Sequence, residues 1–301
     1  MPLFQLSELE AAAELVHTVV SPTPQYAWPL LAERTGCELW VKHENHTPIG
    51  AFKVRGGLVY MDALKRRQPD VAGVTSATRG NHGQSIALAA ARVGLRSVIY
   101  APEGNSSEKN AAMAAFGAEL VTHGRDFDEA KDECARAAEA QGLHYVPSFH
   151  PDLVKGVATY ALEFFRAVPS LDVVYAPIGM GSGICGLINA RDLLGLKTKL
   201  IGVVAENAPT VALSVAAGKM VPTNAAATFA DGLACRDPNP EAIPLISAGV
   251  ERVMQVSEDD IAEAMRAYYS DTHNIVEGAG AAALPPSLKN ANWLRAVASE
   301  L

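Results

Sequence analysis

The sequence predicts an α/β fold of two doubly wound domains with mostly parallel sheets. Strand-like and helix-like segments alternate along most of the chain, which is typical of βαβ units and of a parallel sheet with helices on both faces. The segment 172–179 is a continuous apolar run, as expected when both faces of a strand are covered. The alternation occurs in two series, one over 71–147 and one after 148, which favours two domains with a ligand cleft between them.

The individual elements follow from the apolar pattern, the prolines and glycines, and the capping residues. Strands are expected at 38–41, 71–77, 96–102, 118–124, 172–179, 199–206 and 251–257. Helices are expected from near Ser7, from Lys53 to about Gln68, at 83–93, after a cap at Ser106 or Ser107, at 127–140, at 153–167, from the glycine turn through Leu194, from Pro209, and after a cap at Ser257. The proline-rich segment 21–30 is expected to be extended, and 221–244 is expected to be irregular.

The composition excludes several classes of partner. The 301 residues carry a formal net charge of -8, and 65–67 is a short basic run, so no broad basic surface is expected to meet nucleic acid or an anionic membrane. No apolar stretch has membrane-spanning length, and the first residues lack the basic start of a secretory signal. A cytoplasmic protein with a small-molecule substrate is therefore expected.

The cysteines and histidines do not predict a metal site or a disulfide framework. The four cysteines are scattered and lack CxxC spacing: they are Cys37, Cys134, Cys185 and Cys235. The sequence HENH at 43–46 lacks the helical HExxH spacing and has no obvious third ligand. We therefore expect reduced thiols and no bound metal.

Lys53 is the first residue to suggest chemistry. It lies in the segment TPIGAFKVRGG at 47–57, between Phe52 and Val54 and among small residues. Burial disfavours the ammonium form, so a lysine here would have a lowered pKa and a nucleophilic amine suited to a Schiff base. The alternative is a helix lysine whose stem covers apolar surface while its charge reaches water.

The glycine-rich segment GMGSG at 179–183 directly follows an apolar strand and precedes a helix. Glycines allow a tight turn whose amide groups point at one anion, and the helix N-terminus adds positive potential. A phosphate group is the expected ligand, with Ser182 as a further donor. A plain strand-to-helix turn is the alternative. The segment is not a Walker loop, because no Gly-Lys-Ser/Thr follows it.

A second loop, TRGNH at 78–82, also lies where a strand is followed by a helix, and its amides could hold a second anion. Asn81 in this loop could instead be a helix N-cap. Together the segments TPIGAFKVRGG, SATRGNHGQS (76–85) and GMGSG resemble, in this order, those of the fold-type II pyridoxal-phosphate (PLP) enzymes. They are most similar to the threonine/serine dehydratase group, which includes serine racemases and hydroxyaspartate ammonia-lyases.

The resemblance implies a tryptophan synthase beta-like fold, in which 1–70 and 148–301 form a large PLP-binding domain and 71–147 a small one. It also implies a homodimer. The implied cofactor-binding residues are Phe52, Lys53, Asn81, Gly179, Met180, Gly181, Ser182, Gly183 and Glu277. The implied substrate-binding residues, which would hold the substrate carboxylate, are Thr78, Arg79, Gly80, Asn81 and His82.

Lys53 is the implied catalytic residue, which binds the cofactor and removes the substrate α-proton. Asn81 matches the residue that bonds the cofactor's 3-hydroxyl oxygen, and Phe52 matches a ring behind the pyridine. Core packing is the alternative role for Phe52, and a favourable charge at a helix N-terminus is the alternative role for Glu277. Asp231 matches a family loop near the active site.

Two departures from the family pattern bear on function. Serine racemases have a hydroxyl residue where this chain has Arg79, and a guanidinium cannot exchange protons, which argues against racemisation. Arg79 suggests instead a site for an additional substrate carboxylate. The chain also lacks the family's C-terminal Ser-Gly strand. The remaining hydroxyls, Ser287 and Ser299, do not lie in strand-like patterns, and Pro285 would end the preceding helix, so a sheet edge is expected to be exposed or covered by a partner.

The sequence therefore predicts a PLP-dependent ammonia-lyase, or dehydratase, that converts threonine- or serine-type β-hydroxy amino acids to 2-oxo acids and ammonia. A 3-hydroxyaspartate ammonia-lyase and an amino-acid racemase are alternatives within the family, and β-replacement is a weaker one. An alternative of another class is a PLP-binding protein with little turnover, because of the C-terminal departure.

Overall fold

The computed structural model describes residues 2–284 and the backbone of 295–300. The strands are β1 (Gln25–Ala27), β2 (Glu38–His43), β3 (Gly73–Ala77), β4 (Arg96–Ala101), β5 (Glu119–Thr122), β6 (His144–Tyr145), β7 (Val173–Pro177), β8 (Lys199–Ala205), β9 (Arg252–Val256) and β10 (Arg295–Glu300). The helices are α1 (Leu6–His17), α2 (Pro29–Thr35), α3 (Lys53–Arg67), α4 (Asn81–Arg92), α5 (Ser107–Ala115), α6 (Phe127–Gln141), α7 (Pro151–Ala167), α8 (Ser182–Leu193), α9 (Thr210–Ala217), α10 (Ala242–Gly249), α11 (Glu258–Thr272) and α12 (Gly278–Ala281).

The strands form two sheets, and all but one of the strand pairs are parallel. One sheet has six strands in the order β1-β2-β10-β7-β8-β9, with β1 antiparallel to β2. The other has four parallel strands in the order β5-β4-β3-β6, all drawn from 73–145. The predicted α/β class with mostly parallel sheets is confirmed.

The C-terminal strand corrects one expectation from the sequence. Ser299 was expected outside any strand, but β10 lies inside the six-stranded sheet, between β2 and β7, and Ser299 is in register with Lys42. Hydrogen bonding to a neighbour on each side stabilises a short segment whose own strand signal is weak. The open sheet edge that the sequence predicts is therefore not at β2 or β7, since both strands pair with β10. Pro285, Pro286 and Ser287 lie outside the described residues.

Two further segments differ from the expectation. The proline-rich segment contains β1 and then the start of α2, because Pro29 occupies a first-turn position where no N–H is required. Part of 221–244 is ordered: a short 3-10 helix covers Asp231–Leu233, and α10 begins before Pro244. The expected caps are confirmed, with Ser106 and Ser257 each accepting a backbone N–H of its helix.

Helices α3 and α7 pack closely against each other beneath the site described below. A Cβ on Gly56 would lie 2.9 Å from the carbonyl oxygen of Leu153, and a Cβ on Gly156 only 2.3 Å from that of Arg55. Glycine at both positions therefore lets the two backbones approach, and α3 is held against α7 from its first turn. Although α7 is largely apolar, none of the described helices has the length and apolarity needed to cross a membrane.

A buried group of charged residues fixes α3 to its neighbours. Arg55 is fully buried and donates to Glu44, after β2, at 2.7 Å and to Glu163, on α7, at 2.6 Å. Lys42, on β2, is also fully buried and donates to Glu163 at 2.7 Å. Burial alone would raise the pKa of Glu163, but the two cations outweigh it and lower the pKa to about 2.

We expect Glu163→Gln to destabilise the protein in a pH-dependent way. Arg55 and Lys42 would lose a buried counter-charge, which costs about 3–5 kcal/mol. Because the folded pKa is lowered, the contribution of Glu163 is complete above its unfolded pKa of about 4.3 and disappears as pH falls through about 2. Urea unfolding of both proteins between pH 7 and pH 3 should show a difference in unfolding free energy that shrinks below about pH 4.3.

The control is Glu119→Gln, which removes an exposed carboxylate paired with Arg96 at 2.6 Å. It should change the unfolding free energy far less, since both partners are solvated in the folded state. A difference for Glu163→Gln that stays constant over the whole pH range would contradict the assigned ion pairs.

Candidate active site

A cavity of about 600 Å³ lies at the carboxyl ends of strands from both sheets. Ala77, the last residue of β3, and Pro177, the last of β7, both line it. Its wall also includes the loops that follow these two strands, the start of α3, and parts of 109–149, 224–240 and 277–279. Ligands of open parallel sheets bind at this end of the strands, and a cavity of this size suits a small molecule.

Lys53 is the first residue of α3 and lies in the cavity wall. Its Nζ donates to the Ser182 hydroxyl at 2.8 Å and lies 5.0 Å from the centre of the Phe52 ring. Burial lowers the pKa of Lys53 to about 8, so roughly a tenth of the amine is uncharged at pH 7, far more than for an ordinary lysine. The structure thus places Lys53 beside the predicted glycine turn, with an amine that can act as a nucleophile.

The glycine turn joins β7 to α8 and is shaped by close backbone contacts. A Cβ on Gly179 would lie 2.1 Å from the carbonyl oxygen of Gly232. Gly181 has a φ of +100°, and a Cβ there would lie 2.8 Å from the Cβ of Ala242. Within residues 2–284, no protein acceptor is found for the amides of Gly179, Met180 and Gly181.

These amides are available to an anion at the N-terminus of α8. Ser182 and Gly183 are the first two residues of that helix, so their amides also have no intrahelical acceptor. Five successive N–H groups and the positive end of a helix can therefore surround one phosphate group. The turn fits the anion site that the sequence predicts.

The loop 78–82 joins β3 to α4 and lines the same cavity. The Thr78 hydroxyl accepts from the amides of Gly80 at 2.9 Å and Gly83 at 3.1 Å, so it shapes the loop from within. The amides of Asn81 and His82 are at the start of α4 and have no intrahelical acceptor. A second anion can therefore bind here, within the cavity that contains Lys53.

Asn81 and His82 have different surroundings. The N-cap of α4 is Gly80, so the alternative role of Asn81 as the cap is wrong. The Asn81 side chain donates instead to the Glu277 carboxylate at 2.6 Å. Burial, with the nearby charge of Lys53, lowers the pKa of His82 to about 3, so its ring is neutral at physiological pH.

Lys109, on α5, is a site residue that the sequence did not reveal. Its Nζ lies 3.0 Å from Glu277 and 3.5 Å from Asp231, which also pairs with Arg79 at 3.2 Å. The Lys109 stem crosses Gly80, where a Cβ would lie 2.3 Å from its Cδ. Its place just after a parallel strand, β4, was the one signal that could have identified it.

Cys235 is a second residue that the sequence did not reveal as part of the cavity. Burial raises the pKa of its thiol to about 12, and the charges of Lys53 and Arg79 act in the opposite direction. The thiol is therefore close to both cations and remains protonated. Its place directly after the loop at 231–234, which matches a family loop near the active site, was the one signal that could have identified it.

The comparison with protein families agrees with this arrangement. Residues 16–297 match the family described as "Pyridoxal-phosphate dependent enzyme". The chain belongs to this family of PLP-dependent enzymes. The cavity fits the cofactor, because the glycine turn can hold its phosphate where a side chain would collide and the Lys53 amine is available for its aldehyde.

Individual relatives are also similar over most of this chain. It is 36% identical over 254 residues to the L-threonine ammonia-lyase of Geobacter sulfurreducens, covering 84% of this chain and 63% of the relative. It is 31% identical over 270 residues to a biosynthetic L-threonine dehydratase of Pasteurella multocida, covering 89% of this chain and 52% of the relative. The chain thus spans between half and two thirds of the length of these two relatives.

A solved structure is similar over nearly the whole chain. The processed form of threonine deaminase isoform 2 from Solanum lycopersicum superposes with a TM-score of 0.90 at 28% identity, covering 99% of this chain and 85% of the other. The match extends the similarity from the motifs to the packing of both sheets. It agrees with the fold-type II architecture that the sequence motifs imply.

We expect Gly181→Ala to weaken cofactor binding. The substitution forces a non-glycine residue to adopt a φ of +100° and brings its Cβ to 2.8 Å from Ala242, so the turn must move. PLP affinity, measured by titration of the apoprotein and followed by absorbance, should fall by at least about tenfold, since one or two amide hydrogen bonds to a charged group are displaced.

Gly195→Ala is the matched control, because Gly195 has a φ of +66° at the other end of α8 and open space around its Cβ. It should lower the melting temperature and leave PLP affinity unchanged. Equal losses of PLP affinity in both variants would show that the turn at 179–183 is not the phosphate site.

Proposed function

We propose that the protein is a PLP-dependent ammonia-lyase that acts on β-hydroxy amino acids of the threonine and serine type. The observation that carries the proposal is the Lys53 amine, held by Ser182 beside the glycine turn in a cavity that also contains the amides of the loop 78–82. The sequence similarity to L-threonine ammonia-lyase and L-threonine dehydratase supports the same reaction class.

The role of each group in the cavity follows from its charge and its position. The bound cofactor supplies an electron sink for the negative charge that develops at the substrate Cα. The amides of Asn81 and His82, at the positive end of α4, would bind the substrate α-carboxylate. This contact would fix the Cα–H bond relative to Lys53 and bring the reacting groups within reach.

Lys53 would then accept the α-proton at Nζ. A general base is most effective when its pKa lies near the working pH, and burial lowers the pKa of Lys53 to about 8. Ser182 keeps the amine oriented through the 2.8 Å hydrogen bond. His82 is neutral over the working range, because its pKa is lowered to about 3, so it adds no competing base titration near neutrality.

The net reaction needs no oxidant or reductant. The α-proton and the β-hydroxyl leave as water, which gives an enamine that tautomerises to an imine. Addition of water to the imine then gives a 2-oxo acid and ammonia. Threonine would give 2-oxobutanoate, and serine would give pyruvate.

Racemisation is a weaker candidate. It needs a second proton-exchanging group on the face opposite the lysine. The side chain at the corresponding position is Arg79, which is paired with Asp231, and a guanidinium is not a proton-exchanging group. A PLP-binding protein without turnover is also weaker, since β10 pairs with β2 and β7 inside the sheet for which the sequence predicts an open or partner-covered edge.

We also propose a division into a small domain at 71–147 and a large domain at 1–70 and 148–301, a homodimer, and a cytoplasmic location. The four-stranded sheet, drawn only from 73–145, supports the division. Exposed apolar side chains on neighbouring elements support a dimer contact: they are Tyr26, Leu30, Tyr269 and Ile275. Four free cysteines are consistent with a reducing compartment.

The experiment that tests the function measures 2-oxobutanoate released from threonine by the holoprotein. Wild type should release it, and Lys53→Ala should reduce kcat/KM by at least about 1,000-fold, since it removes both the base and the covalent attachment point. Lys199→Ala, at an exposed site far from the cavity, should behave as wild type. Full cofactor loading without release of a 2-oxo acid from any β-hydroxy amino acid would contradict the proposal.

A further inference from the structure

Arg79 uses little of its hydrogen-bonding capacity, although it lines the cavity that contains Lys53. Its guanidinium is paired with Asp231 through Nη2 at 3.2 Å, while its Nε is buried without a hydrogen-bond partner. The side chain is 38% exposed, and a guanidinium has five N–H donors. The donors on the exposed part of the guanidinium, apart from the pair with Asp231, are therefore available to a ligand.

Two other arginines of the chain have partners at every guanidinium nitrogen, which Arg79 does not. Fully buried Arg55 donates to two carboxylates and a hydroxyl through Nε, Nη1 and Nη2. Arg236, also in the cavity wall, has carboxylates near all three nitrogens, from Asp126, Asp128 and Asp237. Arg79 is the cavity arginine whose charge is least compensated.

The single carboxylate that Arg79 contacts is shared with another cation. Asp231 also lies 3.5 Å from the Nζ of Lys109, so its negative charge is divided between the two side chains. The charge of the Arg79 guanidinium is thus only partly compensated, and it lies in the same cavity as Lys53. A carboxylate is the group whose geometry and charge best match a guanidinium.

We propose that Arg79 binds a second carboxylate on the substrate, so that the preferred substrates are β-hydroxy amino acids with a carboxylate on Cβ, of which 3-hydroxyaspartate is the simplest. This inference deepens the proposed function and rests on it. Threonine and 3-hydroxyaspartate share the α-carbon, the amine and the β-hydroxyl. They differ in one group on Cβ, which is a methyl in threonine and a carboxylate in 3-hydroxyaspartate. The extra charge is the feature that Arg79 would recognise.

The reaction of this substrate balances in the same way as that of threonine. The α-proton and the β-hydroxyl leave as water, and one water is taken up again when the imine hydrolyses. The products are ammonia and the four-carbon 2-oxo dicarboxylate, oxaloacetate. The second carboxylate is retained throughout, so its contact with Arg79 can persist from binding to the transition state.

A competing role for Arg79 is to bind the α-carboxylate, which every amino-acid substrate has. In that case, removal of Arg79 would lower kcat/KM for threonine and for 3-hydroxyaspartate by the same factor. With a second carboxylate as the partner, only the reaction of 3-hydroxyaspartate should suffer strongly. The ratio of the two kcat/KM values therefore separates the two roles.

The kinetic experiment compares this ratio in wild type, Arg79→Ala, Arg79→Lys and Lys131→Gln holoenzymes. Wild type should favour 3-hydroxyaspartate, and Arg79→Ala should lower the ratio by about 10- to 100-fold, the effect of one lost charge-assisted hydrogen-bonded pair. Arg79→Lys should restore part of the preference, because it keeps the charge and loses the planar fork. Lys131→Gln removes a charge paired with Asp128 at the same cavity and should leave the ratio unchanged.

A binding experiment provides a readout that does not depend on turnover. Isothermal titration of the holoenzyme with succinate and with butanoate should show tighter binding of the dicarboxylate, and Arg79→Ala should abolish the difference. If no β-hydroxy amino acid reacts while this difference holds, the proposed function fails and the carboxylate site stands. A wild type that prefers threonine and butanoate, or preferences that are unchanged in Arg79→Ala, would overturn the inference.

Discussion

The site depends on a half-buried lysine amine that has a hydroxyl, and no carboxylate, as its partner. Lys53 donates to Ser182 at 2.8 Å, and no ion pair of Lys53 is found among the described residues. Burial therefore lowers its pKa to about 8 with little compensation. Lys42, eleven positions earlier, is fully buried, and burial also lowers its pKa, but the charges of Glu44 and Glu163, the latter at 2.7 Å, act in the opposite direction. Lys53 has no such carboxylate beside it, and this distinguishes the two lysines.

Buried ion pairs close to Lys53 hold the helix that carries it. Arg55, two residues further along α3, is fixed by Glu44 and Glu163, so the helix that presents Lys53 cannot shift without exposing buried charges. Close contacts at Gly56 and Gly156 hold the same helix against α7. The reactive amine thus sits on a rigid support, which is what a positioned catalytic group requires.

The sequence predicts the parts of this structure that depend on local pattern. The alternation of strands and helices gives the fold class, and Lys53, the glycine turn and the loop 78–82 are each recognisable because their chemistry lies in consecutive residues. Lys109 and Cys235 could not be identified in the same way, because their roles come from contacts with residues more than a hundred positions away. The place of β10 was missed for a similar reason, since pairing with β2 and β7 outweighs its own weak strand pattern.

The most direct test of the account is to find which amine carries the cofactor. Reduction of the holoprotein with borohydride, followed by proteolysis and mass spectrometry, locates the pyridoxyl group that becomes fixed to a lysine. We expect it on the peptide that contains Lys53, whose amine is the one held beside the glycine turn. Modification of Lys109 or Lys131, the cavity-wall lysines whose amines are paired with carboxylates, or of no lysine at all, would contradict the account.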